Sequence, residues 1–204
     1  MGQMHCSRCY CNATLVLQLY IENWLRWFPP DPGLLASIDL SNAWPSAMDQ
    51  PIRYATSPDG VRIAYAVMGK GTPVVRASHW LTHLEYELNS PVWRHLLLGM
   101  ATRHTLVRYD GRGTGLSQRD GVEISLERWV DDLACVVDSL SLERFVLLGV
   151  SQGGAISIKY AARHPERVSH LIIHGAYARG FLHRGNPDKQ RQFVALNRAL
   201  IREG

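Results

Sequence analysis

The stretch FVLLGVSQGGAISIKYAARHPERV, residues 145–168, decides the fold. It opens with apolar residues 145–148, passes through the glycine-rich run GVSQGG (149–154), and continues in a helical pattern that ends before Pro165. We therefore predict a buried strand, a sharp turn and a helix over 154–163. A chain that changes from strand to helix within so few residues needs small side chains at the turn.

Ser151 lies at the centre of this turn, and its context makes it a candidate nucleophile. A serine at a strand–turn–helix junction is lifted to the edge of the sheet and exposed to a bound substrate. The backbone amide of Gln152 then lies at the helix N-terminus, where we expect it to donate to an oxyanion. A Gly-x-Ser-x-Gly pentapeptide alone is weak evidence, and the alternative is a glycine-rich turn with an idle serine.

Regular alternation of strand and helix patterns surrounds this stretch. The run SPDG (57–60) joins two β-rich segments and predicts a hairpin, since Asp-Gly supplies the positive φ angles of a tight turn. Downstream we predict strands in TPVVRAS, HTLVRYD and Val168–His174, and helices in SPVWRHLLLGMATR and after the N-cap Ser125. Cys135 lies beside the apolar stripe of that second helix, where packing is expected. The alternation predicts an α/β fold, a mostly parallel sheet with helices on both faces.

Composition and charge exclude several classes of function. The net charge is +4 with a pI near 9.0, but no block of like charges occurs, so we expect no nucleic-acid partner. Three of the four cysteines lie within the first eleven residues, and a reduced, cytoplasmic setting is the expectation. Because no second ligand pair follows His5, Cys6, Cys9 and Cys11, we predict no metal. The apolar run after residue 12 is interrupted by charges, so no membrane span is predicted.

The run RYDGRGTGLSQ (108–118) raises the alternative of a dinucleotide-binding loop. Its third glycine comes one position early and no helix follows, so we predict no nucleotide and no other cofactor. Asp110 and Arg112 are instead expected to fix this loop through a salt bridge.

Four segments together resemble one known family: SPDGVRIAY, VRYDGRGTGLS, LLGVSQGG and AARHPERVSHLII. From about Ile52 to Gly180 the chain resembles the N-terminal half of the α/β-hydrolases. The resemblance implies an eight-stranded sheet, a serine–histidine–acid triad and a small-molecule ester or related acyl substrate. The family usually has His-Gly after the strand that precedes the oxyanion loop. Here the sequence is His79-Trp80-Leu81, so the amide of Trp80 or Leu81 is the expected second oxyanion donor.

The resemblance also divides the chain. Residues 1–47 are predicted to form an N-terminal extension with an amphipathic helix, 48–180 the N-terminal half of the hydrolase core, and 181–204 the start of a lid helix. The family places its acid and histidine after the serine, yet no strand carrying either follows here, so the fold is expected to be C-terminally truncated. His79 and His174 are candidates for lining a pocket, with a structural role favoured for His174.

Two readings of function follow. One is a serine hydrolase acting through Ser151, with turnover near that of the uncatalysed reaction because no histidine is positioned as its base. The alternative is a truncated, non-catalytic sensor or binding module that keeps the pocket. In either case the missing strands would leave a sheet edge open, which predicts self-association.

Overall fold

The computed structural model describes residues 50–177 and 185–203. Its strands are β1 (Arg53–Thr56), β2 (Arg62–Met68), β3 (Thr72–Arg76), β4 (His104–Tyr109), β5 (Phe145–Val150) and β6 (Val168–His174). Its helices are α1 (Leu84–Asn89), α2 (Arg94–Ala101), α3 (Leu126–Ser139), α4 (Gln152–Arg163) and α5 (Pro187–Glu203). The predicted alternation is confirmed, with the short helix α1 as an addition. The helix predicted within residues 1–47 lies outside the described residues.

The strands form one sheet in the order β1-β2-β4-β3-β5-β6. β3 runs parallel to both β4 and β5, and β5 runs parallel to β6. β1 and β2 pair with each other in antiparallel fashion, and β2 pairs in the same way with β4. The mostly parallel sheet predicted from the sequence is confirmed, and the hairpin extends it through β4.

The hairpin turn depends on one left-handed residue. Gly60 has φ 84°, and its N–H donates to the Ser57 carbonyl at 2.8 Å. The Ser57 N–H in turn donates to the Val61 carbonyl at 2.9 Å. The predicted hairpin is confirmed, but only Gly60 adopts a positive φ, whereas Asp59 does not.

Helices cover both faces of the sheet. Side chains alternate along a strand, so neighbouring positions face opposite layers. Ile63 and Tyr65 of β2 belong to the main core, which also contains the buried residues of α3 and α4. Ala64 and Ala66 alternate with these two residues along β2, and they pack with Leu84 of α1 on the opposite face. The predicted two-faced architecture is therefore confirmed.

Helix α3 shows how the local sequence specifies one of these layers. Its N-cap Ser125 accepts the Arg128 N–H at 3.3 Å, as the sequence predicts. The buried residues of its apolar stripe include Val130 and Leu133. Cys135 packs against this core, where burial raises the pKa of its thiol to about 12. The thiol therefore stays protonated at neutral pH, in agreement with a packing role.

Strand β6 forms one edge of the described sheet. Its residues Leu171, Ile172 and Ile173 are 40%, 49% and 39% exposed, on both faces of the strand. Apolar surface on an edge strand favours pairing with another chain. Self-association through this edge stays a prediction.

Arg112 crosslinks three segments of the fold, but not through the predicted partner. Its guanidinium donates to Asp132 of α3 at 2.8 Å and to Asp59 of the hairpin turn at 2.6 Å. The Arg112 and Asp132 side chains are both fully buried. Burial disfavours the charge on Arg112, but the hydrogen bonds to Asp59 and Asp132 outweigh it and raise the pKa of Arg112. The predicted Asp110–Arg112 salt bridge is wrong.

Asp110 faces the other layer instead. Its Oδ2 accepts the backbone N–H groups of Leu84 at 3.2 Å and of Leu116 at 2.8 Å. The chain turns immediately after β4, so the side chains of Asp110 and Arg112 point to different layers. Burial raises the pKa of the Asp110 carboxyl.

Replacing Arg112 with methionine tests the importance of this crosslink. Arg112→Met removes the charge and leaves the Asp132 carboxylate buried without its partner. We expect a loss of about 3–5 kcal/mol in the free energy of unfolding, measured by urea denaturation. Arg128→Met is the matched control, because Arg128 also pairs with Asp59 but lies near the surface. Equal losses in the two variants would contradict the account.

Candidate active site

Ser151 occupies a strained position between β5 and α4. Its backbone angles are φ 53° and ψ −121°, in the half of φ space that residues with a side chain rarely adopt. Among the described residues other than glycine, only Ser141 also has a positive φ, at 51°. The Ser151 residue is exposed. Such strain persists only where neighbouring structure enforces it, and it occurs preferentially at functional sites.

Two glycines let the backbones approach closely at this turn, because a Cβ would clash at Gly149 and would be tightly crowded at Gly153. A Cβ on Gly149 would lie 2.7 Å from both the Gly154 Cα and the Ser157 Oγ. A Cβ on Gly153 would lie 3.0 Å from the carbonyl oxygens of Ala77 and Ser78. The first contact brings α4 close to β5, and the second brings α4 close to the segment that follows β3.

Backbone hydrogen bonds hold the turn on the strand beside it. The Ser151 N–H donates to the His174 carbonyl at 2.9 Å, which continues the pairing of β5 with β6. The Gly154 N–H donates to the Ser151 carbonyl at 3.0 Å. The structure therefore places His174 on the neighbouring strand, where the sequence predicts it. The contact to the turn is made by its carbonyl, and its side chain is exposed.

The amide of Gln152 lies where an anion would be stabilised. Gln152 is the first residue of α4, and the first N–H groups of a helix have no intrahelical acceptor. These groups carry the positive end of the helix dipole, so they attract a negatively charged oxygen beside Ser151. The Ser151 hydroxyl itself caps no helical N–H.

The segment after β3 forms a tight turn over residues 79–82. The Thr82 N–H donates to the His79 carbonyl at 3.0 Å, and the Thr82 hydroxyl donates to the same oxygen at 2.9 Å. Trp80 and Leu81, at the tip, are 55% and 36% exposed. Within residues 50–177 and 185–203, the Trp80 N–H forms no hydrogen bond, whereas the Leu81 N–H points at the His79 Nδ1 at 3.2 Å.

A chain of hydroxyl groups fastens this turn to the loop after β4. The Ser78 hydroxyl accepts the Gly111 N–H at 2.7 Å and contacts the Thr82 hydroxyl at 2.9 Å. The contact of Ala77 and Ser78 with Gly153 places the segment that leads into the turn beside the N-terminus of α4. The structure therefore brings Ser151 and the predicted oxyanion loop to one edge of the sheet.

His79 is buried, and its place in the lining of a pocket stays a prediction. It is 5% exposed, and its Nε2 lies 2.6 Å from the Arg76 Nη2. Burial, reinforced by the Arg76 charge and opposed by Glu87, lowers the pKa of His79 to about 4. His79 is therefore a neutral imidazole at pH 7.

Sequence reasoning missed the buried charge cluster under this turn, made of Arg76, Glu87 and Arg108. The two guanidinium groups share the Glu87 carboxylate. The only signal in the sequence was an arginine at an inward position near the end of two apolar strand patterns, in TPVVRAS and HTLVRYD. An arginine there needs a buried partner, but the pattern does not identify it.

Two further findings concern the part of the chain that the structure describes. It contains no group of three or more His, Cys, Asp or Glu residues arranged to hold a metal ion. It also contains no helix that is both long enough and apolar enough to cross a membrane.

A methyl group at Gly149 tests the close packing of α4 on β5. Gly149→Ala places its Cβ against backbone atoms that cannot move independently, so we expect a loss of about 1–3 kcal/mol in unfolding free energy. Gly99→Ala is the control, because nothing lies within 4 Å of its Cβ position in α2. A helix gains about 0.5–1 kcal/mol from that change. Equal effects in urea denaturation would contradict the packing argument.

The burial of His79 predicts a dependence of stability on pH. Between its ordinary pKa of 6.5 and the folded value of about 4, the unfolded chain binds a proton that the folded chain does not. The contribution of His79 to the free energy of unfolding is therefore complete above pH 6.5. It falls as the pH is lowered, by at most about 1.4 kcal/mol per pH unit. His79→Gln should lose this contribution, so urea denaturation curves that change in parallel with pH for both proteins would contradict it.

Comparison of the chain with known proteins finds relatives of one family. The family model for the alpha/beta hydrolase fold matches residues 81–199, more than half of the chain. The chain is 37% identical over 90 residues to a 2-hydroxy-6-oxo-2,4-heptadienoate hydrolase of Pseudomonas putida, covering 44% of this chain and 33% of that protein. It is 33% identical over 129 residues to a cis-3-alkyl-4-alkyloxetan-2-one decarboxylase of Shewanella oneidensis, covering 59% and 37%.

A solved structure agrees with these relatives. An esterase from a Rhodococcus species superposes with a TM-score of 0.54 and 30% identity, covering 61% of this chain and 46% of the esterase. The chain thus spans less than half of each of these three proteins. The strand–turn–helix at Ser151, the mixed sheet and the match over residues 81–199 have one explanation. The chain belongs to the α/β-hydrolase family.

Proposed function

We propose that the protein is a serine hydrolase of carboxylic esters or related acyl compounds, with Ser151 as its nucleophile. The observation that carries the proposal is the backbone of Ser151, which has φ 53° at the junction of a buried strand and a helix. Gly149 precedes Ser151 and Gly153 follows it, and a larger residue at either position would be crowded by neighbouring atoms. A strained, exposed serine at a strand-to-helix turn is the arrangement of a nucleophile elbow.

In the proposed reaction the Ser151 hydroxyl oxygen attacks the substrate carbonyl carbon. The carbonyl oxygen becomes an oxyanion, which the Gln152 amide stabilises from the N-terminus of α4. The turn over residues 79–82 supplies the second amide, from Trp80 or Leu81. Its attachment to Gly153 and Gly111 keeps these donors in place before the substrate arrives, so that little reorganisation is needed.

The proton of the attacking hydroxyl needs an acceptor, and we assign that role to no described residue. Within residues 50–177 and 185–203, no histidine ring is hydrogen-bonded to the Ser151 hydroxyl. The family resemblance implies a histidine and an acid that follow the serine in sequence. Since the chain spans less than half of the relatives above, the activity of the whole protein is part of the proposal.

The similar proteins carry names of different reactions. One similar structure is named an esterase, whereas two sequence relatives are named a hydrolase and a decarboxylase. A serine nucleophile and amide donors to an oxyanion both act on an acyl carbonyl group, so we propose an acyl substrate. One observation favours the alternative, a non-catalytic binding module: Ser151 has no histidine partner among the described residues.

Covalent labelling separates the two readings. A fluorophosphonate forms a bond between its phosphorus and an activated serine oxygen, with loss of fluoride. We expect slow labelling that reaches one adduct per chain on prolonged incubation, measured by intact-protein mass spectrometry and lost in Ser151→Ala. Ser141→Ala is the matched control and should label normally, because Ser141 is also exposed with φ 51° but does not precede a helix. A folded protein that is never labelled would favour the binding module.

The chain as it stands should be a poor esterase. Oxyanion donors and binding without a base give only about 10³–10⁴-fold acceleration over water. We therefore expect hydrolysis of p-nitrophenyl acetate close to the blank, with no further loss in His174→Ala. Robust turnover that disappears in His174→Ala would contradict this and would make His174 the base.

A further inference from the structure

The backbone of Ser151 is bonded to a different element on each side. Its N–H donates to the carbonyl of His174, the last residue of β6, at 2.9 Å. Its carbonyl accepts the N–H of Gly154, in the first turn of α4, at 3.0 Å. The positive φ of Ser151 therefore depends on how β6 and the first turn of α4 lie relative to each other.

Gly154 lies where β5, α4 and the segment over residues 174–176 meet. Its Cα lies close to β5, since a Cβ built on Gly149 would be 2.7 Å from it. A Cβ built on Gly154 itself would clash with the Cβ of Ala176. The next atoms are the Ile173 Cγ2 at 3.6 Å and the Ala176 Cα at 3.8 Å, which are ordinary contact distances.

The backbone of Gly154 would accept a side chain. Gly154 is not among the residues with a positive φ, so its conformation does not require glycine. An alanine Cβ has no rotatable bond that could move it aside, so the clash with Ala176 would displace either the helix or the segment. The packing of Ala176 is thus a reason for glycine at position 154.

Gly175 directs the chain onto this contact. Its φ is 60°, and nothing lies within 4 Å of its Cβ position. Glycine is therefore needed there by the turn and not by lack of space. The turn follows His174 directly and brings Ala176 onto the first turn of α4.

We propose that Ala176 is a positioning residue for Ser151: by packing on Gly154, it holds the segment over residues 174–176 against α4 and keeps the Ser151 backbone in its strained conformation. This inference rests on the proposed function, in which Ser151 is the nucleophile. Strained backbone persists only where neighbouring structure enforces it. The His174 carbonyl and the Ala176 methyl group supply that constraint from one short segment.

Moving one methyl group across the contact tests the proposal. Gly154→Ala should force the segment away from α4, because the two Cβ atoms do not both fit. The double variant Gly154→Ala/Ala176→Gly removes the clash and keeps one methyl group in the contact, since the other neighbours lie at 3.6 Å or more. Ser125→Ala is the matched control, because it weakens the fold at the N-cap of α3 and leaves this contact unchanged.

Hydrogen exchange of the Ser151 amide, followed by NMR, measures the constraint without any catalysis. Its bond to the His174 carbonyl protects this N–H. We expect exchange on the order of tenfold faster in Gly154→Ala. The double variant and Ser125→Ala should stay within about twofold of the wild-type rate. Fast exchange that persists in the double variant would overturn the proposal.

Fluorophosphonate labelling of Ser151 measures the consequence for reactivity. We expect Gly154→Ala to slow labelling on the order of 10²-fold, because a misplacement of about 1 Å at a reacting group has a cost of that size. The double variant should label within about threefold of the wild type, and Ser125→Ala within about twofold. Equal slowing in Gly154→Ala and Ser125→Ala would attribute the effect to lost stability and would overturn the proposal.

Ala176→Gly decides the case in which Gly154→Ala fails to fold. It removes the methyl group without creating a clash, so the Ser151 amide should exchange faster and Ser151 should label more slowly than in the wild type. No change in either rate would overturn the proposal. If wild-type Ser151 is never labelled, the proposed function fails. The exchange rates then still decide whether Ala176 holds the Ser151 backbone.

Discussion

The close approach of α4 to the segment after β3 determines the rest of the site. A Cβ on Gly153 would lie 3.0 Å from the Ala77 and Ser78 carbonyl oxygens, so a side chain at this position would be tightly crowded. This contact places the N-terminus of α4 beside residues 77 and 78, which lead into the turn over residues 79–82. Ser151 lies immediately before that helix, and the proposed oxyanion site depends on this close approach.

Buried ion pairs lie on both faces of the sheet near these two backbones. On one face Arg112 joins the hairpin, the loop after β4 and α3 through Asp59 and Asp132. On the other face Arg76 and Arg108 join two strands to α1 through Glu87. Unpaired buried charges are costly, so each cluster tolerates few alternative arrangements.

The sequence predicts those features that depend on neighbouring residues. The elbow at Ser151, the hairpin at Gly60 and the N-cap Ser125 follow from short-range patterns, and the alternation of elements predicts the sheet. Partners that lie far apart in sequence are not encoded in such patterns. Arg112 was paired with nearby Asp110, whereas its partners are 53 and 20 residues away. The burial of His79 against Arg76 is likewise not evident from the sequence, although only three residues separate them, because the pattern does not show which of these side chains face the interior.

The central claim is that Ser151 and two sets of backbone amides form one oxyanion site. A crystal structure of the protein phosphonylated at Ser151 tests it most directly, because the phosphoryl oxygen occupies the position of the oxyanion. The account predicts this oxygen within about 2.7–3.1 Å of the Gln152 nitrogen and of the Leu81 or Trp80 nitrogen. A phosphoryl oxygen that points away from α4, or that contacts no amide of the turn over residues 79–82, would contradict it.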